Sequence, residues 1–507
     1  MSDLLLAMSL TSHDVSLVGW AVPPLSRCLN IIITRLWSEG CGCEGFGGGD
    51  KELPECVLDR FVEKCPAAVM VRATLEHLMR PERLDQIFEA ARQRQYQKQL
   101  LFSQLVAVMS AVATRQQQSV HASYLAAKDQ LGVSPAAVYD KLKGLEPGLS
   151  AALIRETAVD AGQIIDAMND ARKTVLDGFE VYYLDGNHLA ATEHRVAELR
   201  TTREGPLPGQ TLALLDAQRD LIVELVPCED GHAQERSLLP ALLESIVAAM
   251  VIVADRNFCT TKFLFGLAAR GALFVIRQHA STLTYQAVGR RKRIGRSETG
   301  VVFEQALELE QGDERLRVRR ITVELDHPTE NGDTELHVLT NLSPRQAAAP
   351  DVARVYRTRW TIEGAFQTLT DVLRCEVETL GYPQAALFSF AVAVLAWNLY
   401  AVVKNALRAA HGRETIDETL SDHHLVQDVI LTQTGLEIAV DPTAWERHQR
   451  RSPREFAREL LRLARHVSLS RYPQKKRGPK KPPPRKTSGQ RNHHIATARL
   501  LAKTRGK

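Results

Sequence analysis

Between Gly178 and Gln278 the chain sets out strand signals in an order that few folds accommodate. FEVYYLDGNHL, TLALLDAQ and RDLIVELVP are short runs rich in Val, Leu, Ile and Tyr, bounded by Gly, Pro and charged residues, and they predict three successive strands. ERSLLPALLESIVAAM predicts a helix that Pro240 bends or interrupts. MVIVAD is a continuous apolar run, the mark of a strand buried on both faces. TTKFLFGLAARG then predicts a helix ended by Gly271, and LFVIRQ a further strand. Asp185 closes the first run and Asp255 the fourth, each where apolar residues give out, so each carboxylate is expected at the edge of the sheet. Asp is a common turn former, and one such residue says little. Two at the same structural level, followed by an acidic residue on a later helix, say considerably more.

That later residue sits in RVYRTRWTIEGAFQTLT, residues 354–370. Tyr356, Arg359, Glu363 and Thr370 share one stripe of the single helix this stretch predicts, while Val355, Ile362, Phe366 and Leu369 supply the apolar face beside it. A carboxylate beside a guanidinium and a phenol suits a metal ligand next to a phosphate-gripping pair. It equally suits an exposed, salt-bridged helix face.

Between Gln278 and Pro344, TLTYQAV, GVVFEQALELE, RLRVRRITVEL and ELHVLTNL alternate as strands do, separated by GRRKRIGRSETG, QGDE and HPTENGDT. A β-rich insertion at 279–345 is expected. Its first loop carries Arg290, Arg291, Lys292, Arg293 and Arg296 with only Glu298 opposing. Such loops are often merely solvated, but one beside an acidic cluster is placed to hold a phosphate backbone.

Upstream, CGCEGFGGGD cannot hold regular structure, so residues 1–52 are expected to be poorly ordered. Residues 53–150 read as helices. Within them, ASYLAAKDQLGVSPAAVYDKLKGLE offers Gly132 as a left-handed cap, Ser134 as an N-cap and Pro135 at a first turn. Helix, short turn, helix is the form of a helix-turn-helix, with Tyr139, Lys141 and Lys143 on its second helix, although such hairpins also occur in proteins that never touch DNA. Downstream, the apolar run Ala385–Trp397 is too short to span a bilayer and predicts a buried helix. Further helices follow over 411–470, the last N-capped by Ser452 with Pro453 at its first turn.

At 507 residues the chain exceeds one compact core, and two to four domains are expected. Its net charge of +4 conceals an asymmetry: residues 471–507 hold 6 Arg and 7 Lys with no Asp or Glu, and the preceding 470 residues hold 51 basic against 60 acidic side chains. A Pro-rich, acid-free tail of this kind predicts a disordered polyanion-binding arm or a solubilising one. The eight cysteines form no CxxC pair and read as reduced thiols of a cytosolic protein. No basic start precedes Leu4, so no signal peptide is expected.

With Asp185, Asp255 and Glu363 in place, the strand order resembles the RNase H-like fold, in which acidic residues from two adjacent central strands meet a third from a later helix. The chain resembles the DDE transposases of bacterial insertion sequences, in particular the group with a Tyr-x2-Arg-x3-Glu-x6-Lys signature and a β-strand insertion between the second Asp and the Glu. Tyr356, Arg359 and Glu363 match that signature at its spacing, and LDGN around Asp185 and ADRNF around Asp255 resemble the two aspartate motifs. The likeness covers roughly residues 55–410.

The resemblance implies an α/β RNase H-like catalytic domain at 170–278 and 346–410, split by the β-rich insertion. A helical N-terminal DNA-binding domain would precede it at 53–150, and a helical C-terminal region would follow. It implies two Mg2+ ions, replaceable by Mn2+, with Asp185 as shared ligand and Asp255 and Glu363 completing one site each. His188 and His194 read as bystanders, since imidazole suits softer metals. Tyr356, Arg359, Arg256, Arg290, Arg291, Lys292, Arg293, Lys141 and Lys143 are the expected DNA contacts. Partners would be double-stranded DNA, as transposon ends and target, and a second copy in a synaptic homodimer. No membrane role is expected, and the protein would sit in the bacterial cytoplasm on the nucleoid. Excision through a hairpin at the transposon end needs a flipped base.

Two positions depart from the group. Thr370 stands where the signature has Lys, with Arg374 one turn further on, and the insertion lacks a Trp to trap a flipped base, leaving Tyr285 or Phe303. The alternatives are a catalytically impaired, DNA-binding derivative, or a nuclease of the same fold that cuts without joining.

Overall fold

The structure, a computed structural model, describes residues 53–168, 174–279, 283–329, 332–474 and 493–505. The segment 1–52 and residues 475–492 of the basic tail lie outside the described residues.

Helices α1 (Leu53–Lys64), α2 (Pro66–Leu78), α3 (Pro81–Ala91), α4 (Phe102–Ala113), α5 (Val120–Leu131), α6 (Pro135–Lys143) and α7 (Pro147–Asp166) come first. The helical hairpin forms as its sequence predicts. Gly132 ends α5 at φ +62°, and Ser134 Oγ accepts the Ala137 N–H at the start of α6.

Strands β1 (Glu180–His188), β2 (Gly205–Leu207), β3 (Gln210–Asp216) and β4 (Leu221–Cys228) follow, then α8 (Leu239–Glu244), β5 (Met250–Ala254), α9 (Thr261–Ala269) and β6 (Leu273–Arg277). The helix expected over 235–250 is shorter than its apolar spacing suggests. A 3-10 turn at Glu235–Leu238 leads into α8, and Pro240 lies in the first turn of α8, where its missing N–H has no partner to lose. The proline opens that helix and does not bend it.

The insertion comprises β7 (Tyr285–Ala287), β8 (Lys292–Ser297), β9 (Gly300–Gln311), β10 (Glu314–Leu325) and β11 (Glu335–Thr340). The basic stretch expected as a loop is therefore largely a strand. Its pairing with β9, from Lys292–Glu304 to Ser297–Gly300, satisfies its backbone and sets Lys292 opposite Glu304. Nor does the insertion stand apart. β11 pairs antiparallel with β6, so one sheet runs β4-β3-β1-β5-β6-β11-β10-β9-β7, with β8 also on β9.

Within that sheet β1 is antiparallel to β3 and parallel to β5, which is parallel to β6. Side chains alternate between two cores. Val181, Tyr183, Val251, Val253 and Val275 face the larger one, while Tyr182, Leu184, Ile252, Ala254 and Phe274 face a smaller one closed by α8 and α9.

The remaining helices are α10 (Ala349–Arg357), α11 (Trp360–Asp371), α12 (Pro383–His411), α13 (Arg413–Thr419), α14 (Asp422–Ala439), α15 (Thr443–Gln449) and α16 (Pro453–Ala464). Among the described residues α12 is long and apolar enough to cross a membrane, and its apolar window is 94% buried inside the protein. It packs on α2, α4, α7, α16 and β4. The N-terminal helices expected as a separate domain therefore share the larger core with the sheet, because α12 needs apolar partners on every side and they supply one of them.

The tail also departs from the expectation of an unfolded arm. Tyr472 is 2% exposed, and its hydroxyl donates to Asp428 Oδ2 at 2.6 Å. Strand β12 (His494–Ala496) pairs parallel with β2, and α17 (Thr497–Arg505) follows, with Arg499 Nε 2.8 Å from Asp230. Backbone pairing and an ion pair hold this segment despite its lack of acidic residues.

Candidate carboxylate site

The parallel pairing of β1 with β5 ends at Leu184 and Ala254, so Asp185 and Asp255 are the next residues on adjacent strands. By alternation both carboxylates face the larger core, the side on which α11 crosses β1. Asp185 does not end its strand, as expected from sequence, since β1 continues along β3 to His188. It marks instead where the β5 partner leaves. Asp255 is held by the 3-10 turn that follows: its Oδ1 accepts the Asn257 N–H at 2.7 Å.

The stretch expected as one helix is two. Thr358 Oγ1 accepts the Tyr183 hydroxyl at 2.7 Å and donates to Val355 O at 2.7 Å. From Arg359 to Ile362 the main-chain bonds reach back three residues: Arg359 N to Tyr356 O, Thr361 N to Thr358 O and Ile362 N to Arg359 O. This tight joint carries neither Pro nor Gly, and its cause is a threonine bonded to the preceding turn and tied to β1. The polar stripe survives across it. Arg359, 7% exposed, places Nη1 3.2 Å from Asp185 Oδ2 and Nη2 2.6 Å from Glu363 Oε1.

Burial pushes the Asp185 carboxyl up to about 6; the charges of Asp255 and Glu363 push the same way, while Arg359 and the Gly186 N–H oppose them. Burial works against the Arg359 charge, but the Glu363 hydrogen bond and the fields of Tyr356 and Asp185 hold it above its ordinary range. Burial raises the Tyr356 phenol, which is 8% exposed.

Hard carboxylate oxygens are the donors Mg2+ prefers, and in type the set fits such an ion. In arrangement it is closed: Arg359 stands between Asp185 and Glu363, and among the described residues no three His, Cys, Asp or Glu side chains converge as an ion would need.

Other expected residues separate into groups. Arg256 is exposed beside Asp255. Arg290, Lys292 and Arg293 are exposed on the insertion, whereas Arg291 is paired with Glu324 and Glu335 and lies 4.1 Å over the Phe303 ring. Tyr285 is 39% exposed, with Arg320 over its ring. Lys141 donates to Tyr96 O at 2.9 Å and sits over Phe88, within the N-terminal helices, and the exposed Lys143 sits over Tyr382, the residue before α12. His194 bonds Glu204 O, and His188 lies 3.9 Å from Glu235. Thr370 donates to Phe366 O. Arg374 is docked on Gln118 O and does not replace the missing Lys.

Two residues escaped sequence reasoning. Trp360 is 66% exposed immediately beside Arg359, whose guanidinium lies 5.5 Å from its ring centroid. An aromatic directly after Arg359 was the available signal. Arg277 ends β6 on the same face as Asp185 and Asp255, acts electrostatically on Tyr356, and is paired with Asp333 at 2.7 Å. Only the strand order shows that it belongs there.

A mixed sheet whose strands β1 and β5 run side by side, with Asp185 and Asp255 just past the end of their pairing and a carboxylate-bearing helix across β1, fits a DDE or RNase H-like domain. Residues 184–399, which contain Asp185, Asp255 and Glu363, match the family described as Transposase DDE domain. The match supports a transposase enzyme acting on DNA. No curated protein matches the chain.

Proposed function

We propose that the protein is the transposase of a bacterial insertion sequence. In this reading it binds the terminal inverted repeats as a homodimer in the cytoplasm, cleaves the element from its flanks through a hairpin intermediate, and joins the freed ends to target DNA. The observation that carries the reading is the Arg359 guanidinium set between Asp185 and Glu363, with Asp255 at the end of the adjacent strand, within a stretch that matches a transposase DDE domain.

Asp185, Asp255 and Glu363 would hold divalent ions, Mg2+ or Mn2+, with Asp185 shared. Bound there, the metal supplies activation of the attacking oxygen and charge stabilisation on the departing one. The chain's own groups do the positioning. Arg359 presents a buried, permanently charged fork to a phosphate next to the scissile bond, and Tyr356 packs beside it. Arg256 and Arg277 flank the same edge. Trp360 offers an exposed ring on which an extruded base can stack. Arg290, Lys292 and Arg293 hold phosphates further along the duplex.

The test uses the full chain and a duplex carrying the inverted repeats that flank its gene. Asp185→Asn and Glu363→Gln are expected to lower Mg2+-dependent cleavage about 1,000-fold, some 4 kcal/mol of barrier, while leaving end binding in place. Undiminished cleavage overturns the site. Products in which ends are cut but never joined to a target plasmid support the nuclease reading. Thr370 in place of the signature Lys gives a weak-end-binding derivative its one supporting observation, and a gel-shift measurement on the same duplex decides that point.

A further inference from the structure

We propose that Glu235 is a positioning residue for the carboxylate site and acts on Asp255 through the side chain of Asn257. The inference rests on the reading of Asp255 as a metal ligand.

Glu235 and Arg236 open the 3-10 turn Glu235–Leu238. They lie behind the site, on the sheet face opposite Asp185. Tyr182 and Leu184 face the smaller core, and alternation puts Gly186 on that side too. The Glu235 carboxylate rests directly on Gly186, where any Cβ would overlap it. A glycine after Asp185 is thus required for the Glu235 side chain to reach its place.

From there Glu235 Oε2 accepts a hydrogen bond from Asn257 Nδ2. Arg236 Nε donates to Asn257 O at 2.7 Å and lies 3.2 Å from Asn257 Oδ1. A carboxylate only accepts and a guanidinium only donates, so the two neighbours fix which end of the Asn257 amide faces which partner. The main-chain N–H of the same residue donates to Asp255 Oδ1 at 2.7 Å. Asn257 is therefore clamped from behind by its side chain and grips the metal-facing carboxylate with its backbone. His188, at 3.9 Å from Glu235 Oε1, is too far for a hydrogen bond.

An acidic ligand works only when its oxygens are already aimed, and outer partners that aim a ligand are typically worth 10- to 100-fold in metal affinity. Asp at 257 would set a second carboxylate against Glu235, and Leu would remove both bonds. Neither keeps the chain Glu235–Asn257–Asp255 intact.

The experiment measures Mn2+ binding to the full, DNA-free protein by electron paramagnetic resonance. Glu235→Ala is expected to weaken Mn2+ binding at least about 10-fold. Glu235→Gln keeps an acceptor for the Asn257 amide and is expected to restore most of the affinity, which a loss of folding would not allow. Gly186→Ala reaches the same clamp from the strand and is expected to weaken Mn2+ binding as well. Asn257→Ala combined with Glu235→Ala should weaken binding no more than the worse single variant, because the two residues act as one unit. Wild-type Mn2+ affinity in Glu235→Ala, failure of Glu235→Gln to recover, or multiplying effects in the double variant each overturn the proposal. Asp255→Asn separates its failure from that of the underlying reading. If Asp255→Asn abolishes Mn2+ binding and Glu235→Ala does not, the positioning role alone is wrong. If Asp255→Asn binds Mn2+ normally, the ligand assignment is wrong and the positioning role falls with it.

Discussion

Arg359 Nη2 stands 2.6 Å from Glu363 Oε1, and the other terminal nitrogen of the same guanidinium stands 3.2 Å from Asp185 Oδ2. With Arg359 7% exposed, this one cation pairs with Glu363 and opposes the burial that drives the Asp185 carboxyl toward protonation. In the proposed reading, divalent metal and Arg359 would compete for the same oxygens, and a DNA phosphate would draw the arginine away. Arg359→Gln is expected to tighten Mn2+ binding by DNA-free protein roughly fivefold, about 1 kcal/mol, while reducing cleavage. A binding titration beside a cleavage assay checks the opposed signs, and weaker Mn2+ binding in the variant counts against the competition.

Trp360 is the exposed aromatic nearest Glu363 along α11. Trp360→Ala should weaken hairpin formation by about 1–3 kcal/mol, the usual worth of one base stacked on a ring, and Trp360→Phe should recover part of it. If Tyr285→Ala has the larger effect, the platform lies on the insertion.

Charge reversal on the insertion should depend on which cation is free. Lys292→Glu with Arg293→Glu is expected to weaken binding across all DNA sequences and to flatten the logarithmic salt dependence by about one for each phosphate no longer neutralised. Arg296→Ala, which removes a side chain already paired with Asp326 at 2.6 Å, should change DNA affinity little. Fluorescence anisotropy over a salt series distinguishes them.

Acid should weaken the protein through His448, which is 1% exposed. Burial, with Arg447 and Arg451 nearby, lowers its pKa from 6.5 to about 4. In the unfolded chain the imidazole takes up a proton near pH 6.5, whereas in the folded chain it resists until about pH 4. Stability is thus full above pH 6.5 and declines as pH falls toward 4, by on the order of 2–3 kcal/mol in all. Urea unfolding at pH 7 and 4.5 measures this, and His448→Gln should remove part of the difference.

The strand order around the site, the paired aspartates and the helix hairpin at Gly132 were legible because each rests on short-range chemistry: apolar runs, turn formers and caps. The break at Thr358 was not, because it depends on Tyr183, a residue 175 positions away whose hydroxyl bonds Thr358. Glu235 and Arg277 were invisible for the same reason, since only the crossing of strands brings them beside Asn257 and Tyr356. The basic run at 290–296 looked like a loop because its charge masked a strand whose partner, β9, follows it in sequence. That residues 53–150 share the larger core with α12 was not legible either, because α12 buries its apolar surface against helices more than 200 residues upstream.

The placement of α12 also bears on how the chain is made. Helix α2 packs on α12, α14, α15 and α16, all of them more than 300 residues downstream. At some 5–20 residues per second, synthesis separates α2 from these partners by tens of seconds. During that interval the faces that α2 and α4 turn toward α12 leave the ribosome without that partner, although α4 already has α3 and α5 beside it, and the closing contacts of α2 join segments more than 300 residues apart. The larger core is therefore assembled after translation of α12 and not in step with it, and a nascent chain halted before Pro383 should engage chaperones and resist no protease over residues 66–113.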